Sequence, residues 1–399
     1  MKTIRDIPVR GKRLLIRVDF NVPIDKAGRV TEDTRIRAVL PTLRHALEND
    51  AILILASHLG RPKGKPVPEY SLRPAAERLA ALIEREVKTA PDCVGDKVLE
   101  MADSLRPGEI LVLENLRFHP EEEKNDPDFA RRLAALCDIY VNDAFAVSHR
   151  AHASVEAITR YAPISVAGFL LQGEIEYFEK ALKAPRRPFV AVIGGAKVSS
   201  KLGALENLLG HVDKMVIGGA MANTFLKAEG CEVGSSMVED DLLEASRGIV
   251  RRAAEKGVKL YLPVDVVIAE KPEAGKKTRV APAKEIPAGM MALDIGPATS
   301  LLFSEALNDA ATIVWNGPMG VFEIEAFSKG TLFIAETIAD SEALSIVGGG
   351  DTDAAVRRAG VADRITYIST GGGAFLELME GKALPGIAAL EAAQAKTNR

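Results

Sequence analysis

Short apolar runs recur along the chain, separated by longer stretches with helical periodicity. In the first half they are LLIRVDF (14–20), AILILAS (51–57), ILVLEN (110–115) and IYVND (139–143). After residue 185 come FVAVIG (189–194), KMVIGG (214–219), LYLPVDVV (260–267), TIVWNG (312–317), LSIVGGG (344–350) and ITYIST (365–370). The runs are rich in β-branched residues and nearly continuous rather than alternating. That is the pattern of strands covered on both faces in a parallel sheet. Between them, TRIRAVLPTLRHALEND (34–50), SLRPAAERLAALIEREV (71–87) and EDDLLEASRGIVRRAAEKG (239–257) space their apolar residues as helices do, the last stopping at Lys-Gly. Strand and helix in alternation predict α/β layers with right-handed crossovers.

One stretch departs from this alternation. YAPISVAGFLLQGEIEYFEKALKAPRRP (161–188) reads as an apolar turn, an amphipathic helix and a Pro/Arg break, and is expected to connect two domains. The predicted fold is therefore α/β: two doubly wound, parallel-sheet, Rossmann-like domains joined by an interdomain helix, with a cleft between them. The expected bounds are 1–165, then 166–187 for the helix and hinge, 188–373, and a final segment 374–399. A chain of 399 residues is long enough to bury two cores.

Nearly every apolar run ends in polar or glycine residues, and in open α/β sheets ligands bind beyond the carboxyl ends of the strands. In the first half these ends carry charge. RVDFNVP supplies Arg17, Asp19 and Asn21, which alternate onto one face of an extended segment. Arg35 opens a helix, SHLGRP brings His58 and Arg61, ENLRFH brings Arg117 and His119, and SHRAH brings His149, Arg150 and His152. Converging guanidinium groups bind phosphate and carboxylate in bidentate fashion, which suits a small substrate bearing both. The H-R-x-H spacing lacks a carboxylate partner pattern and is not read as a metal site.

The second half is glycine-rich at its strand ends. IGGAKVSSK (193–201) supplies Lys197 and Lys201, four apart and expected on one helix face. GGGDTD (348–353) and TGGGA (370–374) each set backbone N–H groups ahead of a helix, where free donors and the helix dipole favour phosphate. Asp351 adds a hard oxygen ligand for Mg2+. IGGAMANTFL (217–226) and WNGPMGVFE (315–323) offer backbone for close approach and apolar walls for a flat heterocycle, with Glu323 as a ribose acceptor. Neither G-x-x-x-x-G-K-[ST] nor G-x-G-x-x-G occurs, so this is a Mg-nucleotide cradle of another build.

Composition narrows the partners. A net charge of −4 argues against nucleic acid or an anionic membrane. No uninterrupted apolar segment reaches the length of about 18 residues needed to span a bilayer. The opening MKTIRDIPVRGKR has no apolar signal-peptide core, and the three cysteines (Cys93, Cys137, Cys231) show no metal-ligand spacing. A cytoplasmic protein is expected. The rival readings are a nicotinamide dehydrogenase, which lacks its glycine fingerprint here, and a non-catalytic two-lobed binding protein, which would leave the lysine–glycine–aspartate set without a use.

Taken in order and spacing, RVDFNVP, SHLGRP, GGAKVSSK, WNGPMGVFE, GGGDT and STGGGA resemble the phosphoglycerate kinase family from about residue 4 to 391. The resemblance implies a monomeric, two-domain enzyme of glycolysis. It would move a phosphoryl group reversibly from 1,3-bisphosphoglycerate to ADP, giving 3-phosphoglycerate and ATP with Mg2+. Family substrate positions fall on Asp19, Asn21, Arg35, His58, Arg61, Arg117 and Arg150. Nucleotide positions fall on Lys197, Lys201, Gly219, Asn316, Glu323, Gly349, Gly350, Asp351 and Thr352, with Gly372 and Gly373 near the transferring group. In the family the last segment folds back onto the first domain. Phe375 stands where many members have Ser. The acceptor is a carboxylate, ionised at pH 7 with a pKa of about 3.5, so no general base is expected. Transition-state charge is expected to fall on Arg35 and Lys197, with Lys201 and the backbone of Gly350, Gly372 and Gly373 assisting.

Overall fold

The computed structural model describes residues 1–397. The chain forms two compact units: Met1–Glu176 joined by the stretch that begins at Ala383, and Tyr177–Lys382. In the first, β1 (Arg13–Arg17), β2 (Ile52–Ala56), β3 (Lys88–Thr89), β4 (Ile110–Val112), β5 (Ile139–Asn142) and β6 (Ser165–Ala167) form one parallel sheet in the order β3-β4-β2-β1-β5-β6. Ile16, Leu53, Leu55, Val112 and Val141 are buried at its centre together with Ile36, Leu43 and Leu79 from the covering helices. The near-continuous apolar runs are thus strands covered on both faces, as their composition requires. The strand order reverses beside β1, which lies between β2 and β5. Ligands of such sheets bind at the carboxyl ends there.

The second unit repeats the plan. In chain order its strands are β7 (Phe189–Ile193), β8 (Lys214–Ile217), β9 (Glu232–Val233), β10 (Lys259–Tyr261), β11 (Asp265–Ala269) and β12 (Arg279–Pro282), then β13 (Glu285–Ile286), β14 (Met291–Ile295), β15 (Thr312–Asn316), β16 (Leu344–Gly348) and β17 (Tyr367–Ile368). Six of these make a parallel sheet in the order β10-β8-β7-β15-β16-β17, with the reversal beside β7. The remainder form an antiparallel β12-β11-β14 sheet and a two-stranded β13-β9 pair. The run LYLPVDVV, expected as one strand, is therefore two. Pro263 has no N–H to give a ladder, and the chain leaves the parallel sheet there to begin β11 in another.

The helix Phe169–Leu182 carries the chain from the first unit into the second. Its first turn is capped by Asp143 at the end of β5, whose Oδ1 accepts from the N–H groups of Leu170 (2.9 Å) and Leu171 (3.2 Å). Near the C-terminus, the helix Gly372–Met379 stays in the second unit, where Asn207 Nδ2 donates to Met379 O at 2.8 Å. Only the helix Pro385–Thr397 belongs to the first, with Gln394 bonded to both the N–H and the carbonyl of Lys2. The returning segment accordingly starts at Ala383 and not at 374. Phe375 anchors the intervening helix by lying flat on Gly348: a Cβ there would meet its ring at 2.2 Å.

Candidate active site

At the carboxyl ends of β1 and β2 the first unit gathers an arginine–histidine cluster. Arg17, only 1% exposed, donates through Nε to Ser154 Oγ (2.9 Å) and through Nη2 to Nδ1 of His58 (3.3 Å). Asp19 accepts from Arg35 Nη1 and lies 3.7 Å from the same His58 nitrogen. Burial holds His58 well below the usual imidazole range, reinforced by the guanidinium groups of Arg17, Arg117, Arg150 and Arg35. His152 is pushed down to about 3 by burial and by Arg117, Arg17 and Arg150. Both rings are therefore neutral at pH 7 amid four cations. Asn21 and Arg117 grip the backbone of one residue, Gly60: Asn21 Oδ1 accepts from Gly60 N and Arg117 Nη1 donates to Gly60 O, each at 2.9 Å. Arg61 follows directly and is exposed. Arg117 is 5% exposed, yet its Nη2 is buried with no hydrogen-bond partner. Such an orphaned cationic donor costs stability unless an anion meets it.

Beneath the cluster lies Glu122, fully buried, whose carboxylate accepts from Ser154 Oγ (2.6 Å) and Ser154 N (2.9 Å). Burial pushes this carboxyl up while Arg17 pulls it down. Ser154 thus links Glu122 to Arg17, holding the guanidinium in place from behind.

In the second unit the candidate groups surround the carboxyl ends of β7 and β15. Lys197 and Lys201 do not share a helix face, contrary to the expectation from their spacing. Residues 194–201 form a turn, and the helix begins at Leu202. Two serines hold that turn open: Ser199 bonds the Glu239 carboxylate through N (3.1 Å) and Oγ (2.5 Å), and Ser200 Oγ donates to Lys197 O (2.9 Å). The two lysines consequently differ. Lys197 is exposed, whereas the Lys201 ammonium turns inward to donate to Gly194 O (2.7 Å) and Asn316 O (2.9 Å). Burial lowers Lys201 to about 8, with Asp351 opposing the shift.

Beside it opens a pocket walled by Ala220, Pro263, Leu293, Pro318, Met319 and Val321, with Glu323 and Asp351 among its polar lining groups. Gly219 lines it at φ +68°, and a Cβ there would meet the Gly195 backbone at 2.5 Å, so glycine alone fits. Gly349 (φ +100°) caps the helix Gly350–Arg358, which places Gly350, Asp351 and Thr352 in its first turn. Gly372 and Gly373 open the next helix. Asn316 and Thr352 are buried and already engaged: Asn316 Nδ2 donates to Gly348 O, and Thr352 Oγ1 accepts from Gly317 N, each at 2.7 Å. Two lining residues escaped sequence reasoning. Asn223 is 2% exposed with an unpartnered Nδ2, and Asp294 is raised by burial to about 7.

The motifs behind this geometry are shared. The family profile described as phosphoglycerate kinase matches residues 4–382. The chain belongs to the phosphoglycerate kinase family. Among curated relatives, the phosphoglycerate kinase of Geotalea uraniireducens is 62% identical over 383 residues, covering 96% of each chain. That of Geobacter metallireducens is 61% identical over the same length and coverage. Among solved structures, phosphoglycerate kinase from Coxiella burnetii superposes with a TM-score of 0.89 at 43% identity, covering 98% of this chain and 99% of that one. The enzyme from Pyrococcus horikoshii gives 0.87 at 33% identity, covering 99% and 100%. The protein is thus a phosphotransferase with the two-domain, parallel-sheet α/β fold of phosphoglycerate kinases.

Glu122 and Ser154 had no usable signal. Glu122 sits within PEEEK, where nothing distinguishes the buried glutamate from its solvated neighbours.

Proposed function

We propose that the protein catalyses reversible, Mg2+-dependent transfer of a phosphoryl group from 1,3-bisphosphoglycerate to ADP, giving 3-phosphoglycerate and ATP, by direct in-line transfer without a general base. The reading rests on the orphaned Arg117 Nη2 inside a cationic cluster, which asks for a small polyanion. Asp19, Asn21, Arg35, His58, Arg61, Arg117 and Arg150 would hold the phosphoglycerate. The nucleotide would bind against Gly219, Glu323 and the apolar walls, its phosphates at Lys197, Lys201 and the helix starting at Gly350, with Gly349, Asn316 and Thr352 shaping that end. The proposed enzyme is a monomer working in the cytoplasm without nucleic-acid or membrane partners.

Asp351 fits a magnesium ion. Its carboxylate is exposed, lines the pocket and lies near enough to act on Lys201. Bound with the nucleotide, Mg2+ would neutralise polyphosphate charge. The chain's own groups do the rest. Arg35 and Lys197 stabilise the equatorial oxygens of the transferring group, with Lys201 and the N–H groups at Gly350, Gly372 and Gly373 assisting. The acceptor carboxylate needs no deprotonation. Water is excluded when the two ligand-carrying units close about a hinge.

The test is ADP formation from ATP with Mg2+, measured with and without 3-phosphoglycerate and repeated with Lys197→Ala. Turnover that needs both substrates and collapses in the variant supports the reading. Binding of both ligands without turnover would make this a binding-only relative, and NADH binding would favour the dehydrogenase alternative.

A further inference from the structure

The first unit holds a second polar cluster that the phosphotransfer reading does not use. Because β3 and β4 are parallel neighbours, paired through Lys88 with Leu111 and Thr89 with Val112, the loops leaving their carboxyl ends run side by side. Asp92 and Cys93 lie in the first loop and His119 at the end of the 3-10 turn Leu116–Phe118 in the second. This explains why no spacing in the sequence revealed them as a set. Their ligand atoms, one from each residue, all lie within 4.8 Å of one another. Asp92 Oδ1 is 2.6 Å from His119 Nε2, and the thiol of Cys93 forms the buried floor. The imidazole packs on the buried Phe129, with ring centroids 5.3 Å apart. The side chains of His119 and Asp92 remain 26% and 45% exposed, so the cluster opens to solvent on the side away from the sulfur.

We propose that Asp92, Cys93 and His119 form a binding site for a zinc-class divalent ion, with one coordination position left open to water. A sulfur, an imidazole nitrogen and a carboxylate oxygen are the three donor types zinc takes, and sulfur excludes the hard cation expected at the nucleotide. Metal entry requires the thiol proton to leave to buffer as the S–metal bond forms. It also requires the Asp92–His119 contact to widen to about 3.3 Å, the edge of a tetrahedron with bonds of about 2.0–2.1 Å. Both atoms belong to partly exposed side chains, so widening displaces little of the core.

The experiment uses the full chain, stripped with a chelator and titrated with Zn2+ against a chromophoric competitor, then loaded with Co2+ for absorption spectroscopy. One tight equivalent is expected, weakened at least tenfold in His119→Gln and in Cys93→Ser. The Co2+ form should show thiolate-to-metal charge transfer in the near ultraviolet, absent in Cys93→Ser. The His119 variant changes a partly exposed side chain, so it remains informative if removal of the buried thiol impairs folding. No tight equivalent, an equivalent that persists in His119→Gln, or a Co2+ spectrum without the thiolate band would each overturn the site.

Discussion

Arg35 is paired with Asp19, which restrains its guanidinium and leaves less reorganisation for the proposed transfer step. Arg35→Ala is expected to lower turnover by about 10³-fold or more, while ADP affinity, measured by calorimetry, stays nearly unchanged because the residues proposed for the nucleotide lie in the other unit. A parallel loss of ADP affinity would remove Arg35 from the transfer step. Lys201 makes a different prediction. Its ammonium is buried and lowered to about 8, and phosphate beside it favours the charged form. The affinity of the free enzyme for ADP should therefore fall as pH rises above about 8, by up to roughly tenfold per unit. Lys201→Met should bind more weakly below about pH 8, approach the parent as pH rises, and lack that bend. At this scale the sequence was informative through grouping: any one of these arginines reads most readily as a solvated surface charge, as Arg61 and Lys197 are exposed, and only their recurrence at successive strand ends pointed to a ligand cleft. It was silent about Glu122, one glutamate among three, and about Asn223, whose significance is an unpartnered Nδ2 that only packing reveals.

The helix Phe169–Leu182 begins on the Asp143 carboxylate, and this cap titrates. Burial raises Asp143 to about 7 although the N–H groups of Leu171 and Leu170 pull it down. Between about pH 4 and 7 the folded protein then holds a proton that the unfolded chain has released, so this residue lowers stability as pH rises through that window and contributes no further slope above it. Other buried groups titrate too, some in the opposite sense, so the informative quantity is a difference. Relative to the parent, Asp143→Asn should gain stability from pH 4 to 7, by no more than about 1.4 kcal/mol per unit, and level off above, read from urea midpoints. A constant difference across that range would show that Asp143 is ionised in the folded state. The elements themselves were mostly legible, because strands covered on both faces must be continuously apolar. LYLPVDVV failed because two adjacent strands of different sheets share one apolar run. The two added sheets were missed because β9 and β13 of the parallel pair are two residues each and β12 of the antiparallel sheet is largely exposed. Lys197 and Lys201 have helical spacing, but Ser199 and Ser200 bond outside a helix and the turn wins.

Each half of the proposed reaction is assigned to residues of a single unit: Asp19 to Arg150 for the phosphoglycerate, Lys197 to Gly373 for the nucleotide. A carboxylate and a terminal phosphoryl group repel one another, and neither set can bring both within bonding distance by itself. The cations must do double duty, first holding each anion apart in its own unit and then sharing the charge that spreads over the transferring group. That sharing is strongest where water is excluded, so the proposed chemistry calls for closure that both ligands favour together. Small-angle scattering should show a smaller radius of gyration with MgADP and 3-phosphoglycerate bound than with either alone. An unchanged radius in the ternary complex would eliminate closure as the means of bringing the groups together. Full contraction with one ligand would place the trigger in that ligand's unit, and Arg35→Ala would then separate the two roles of its guanidinium: a variant that still contracts but does not turn over has lost charge stabilisation alone.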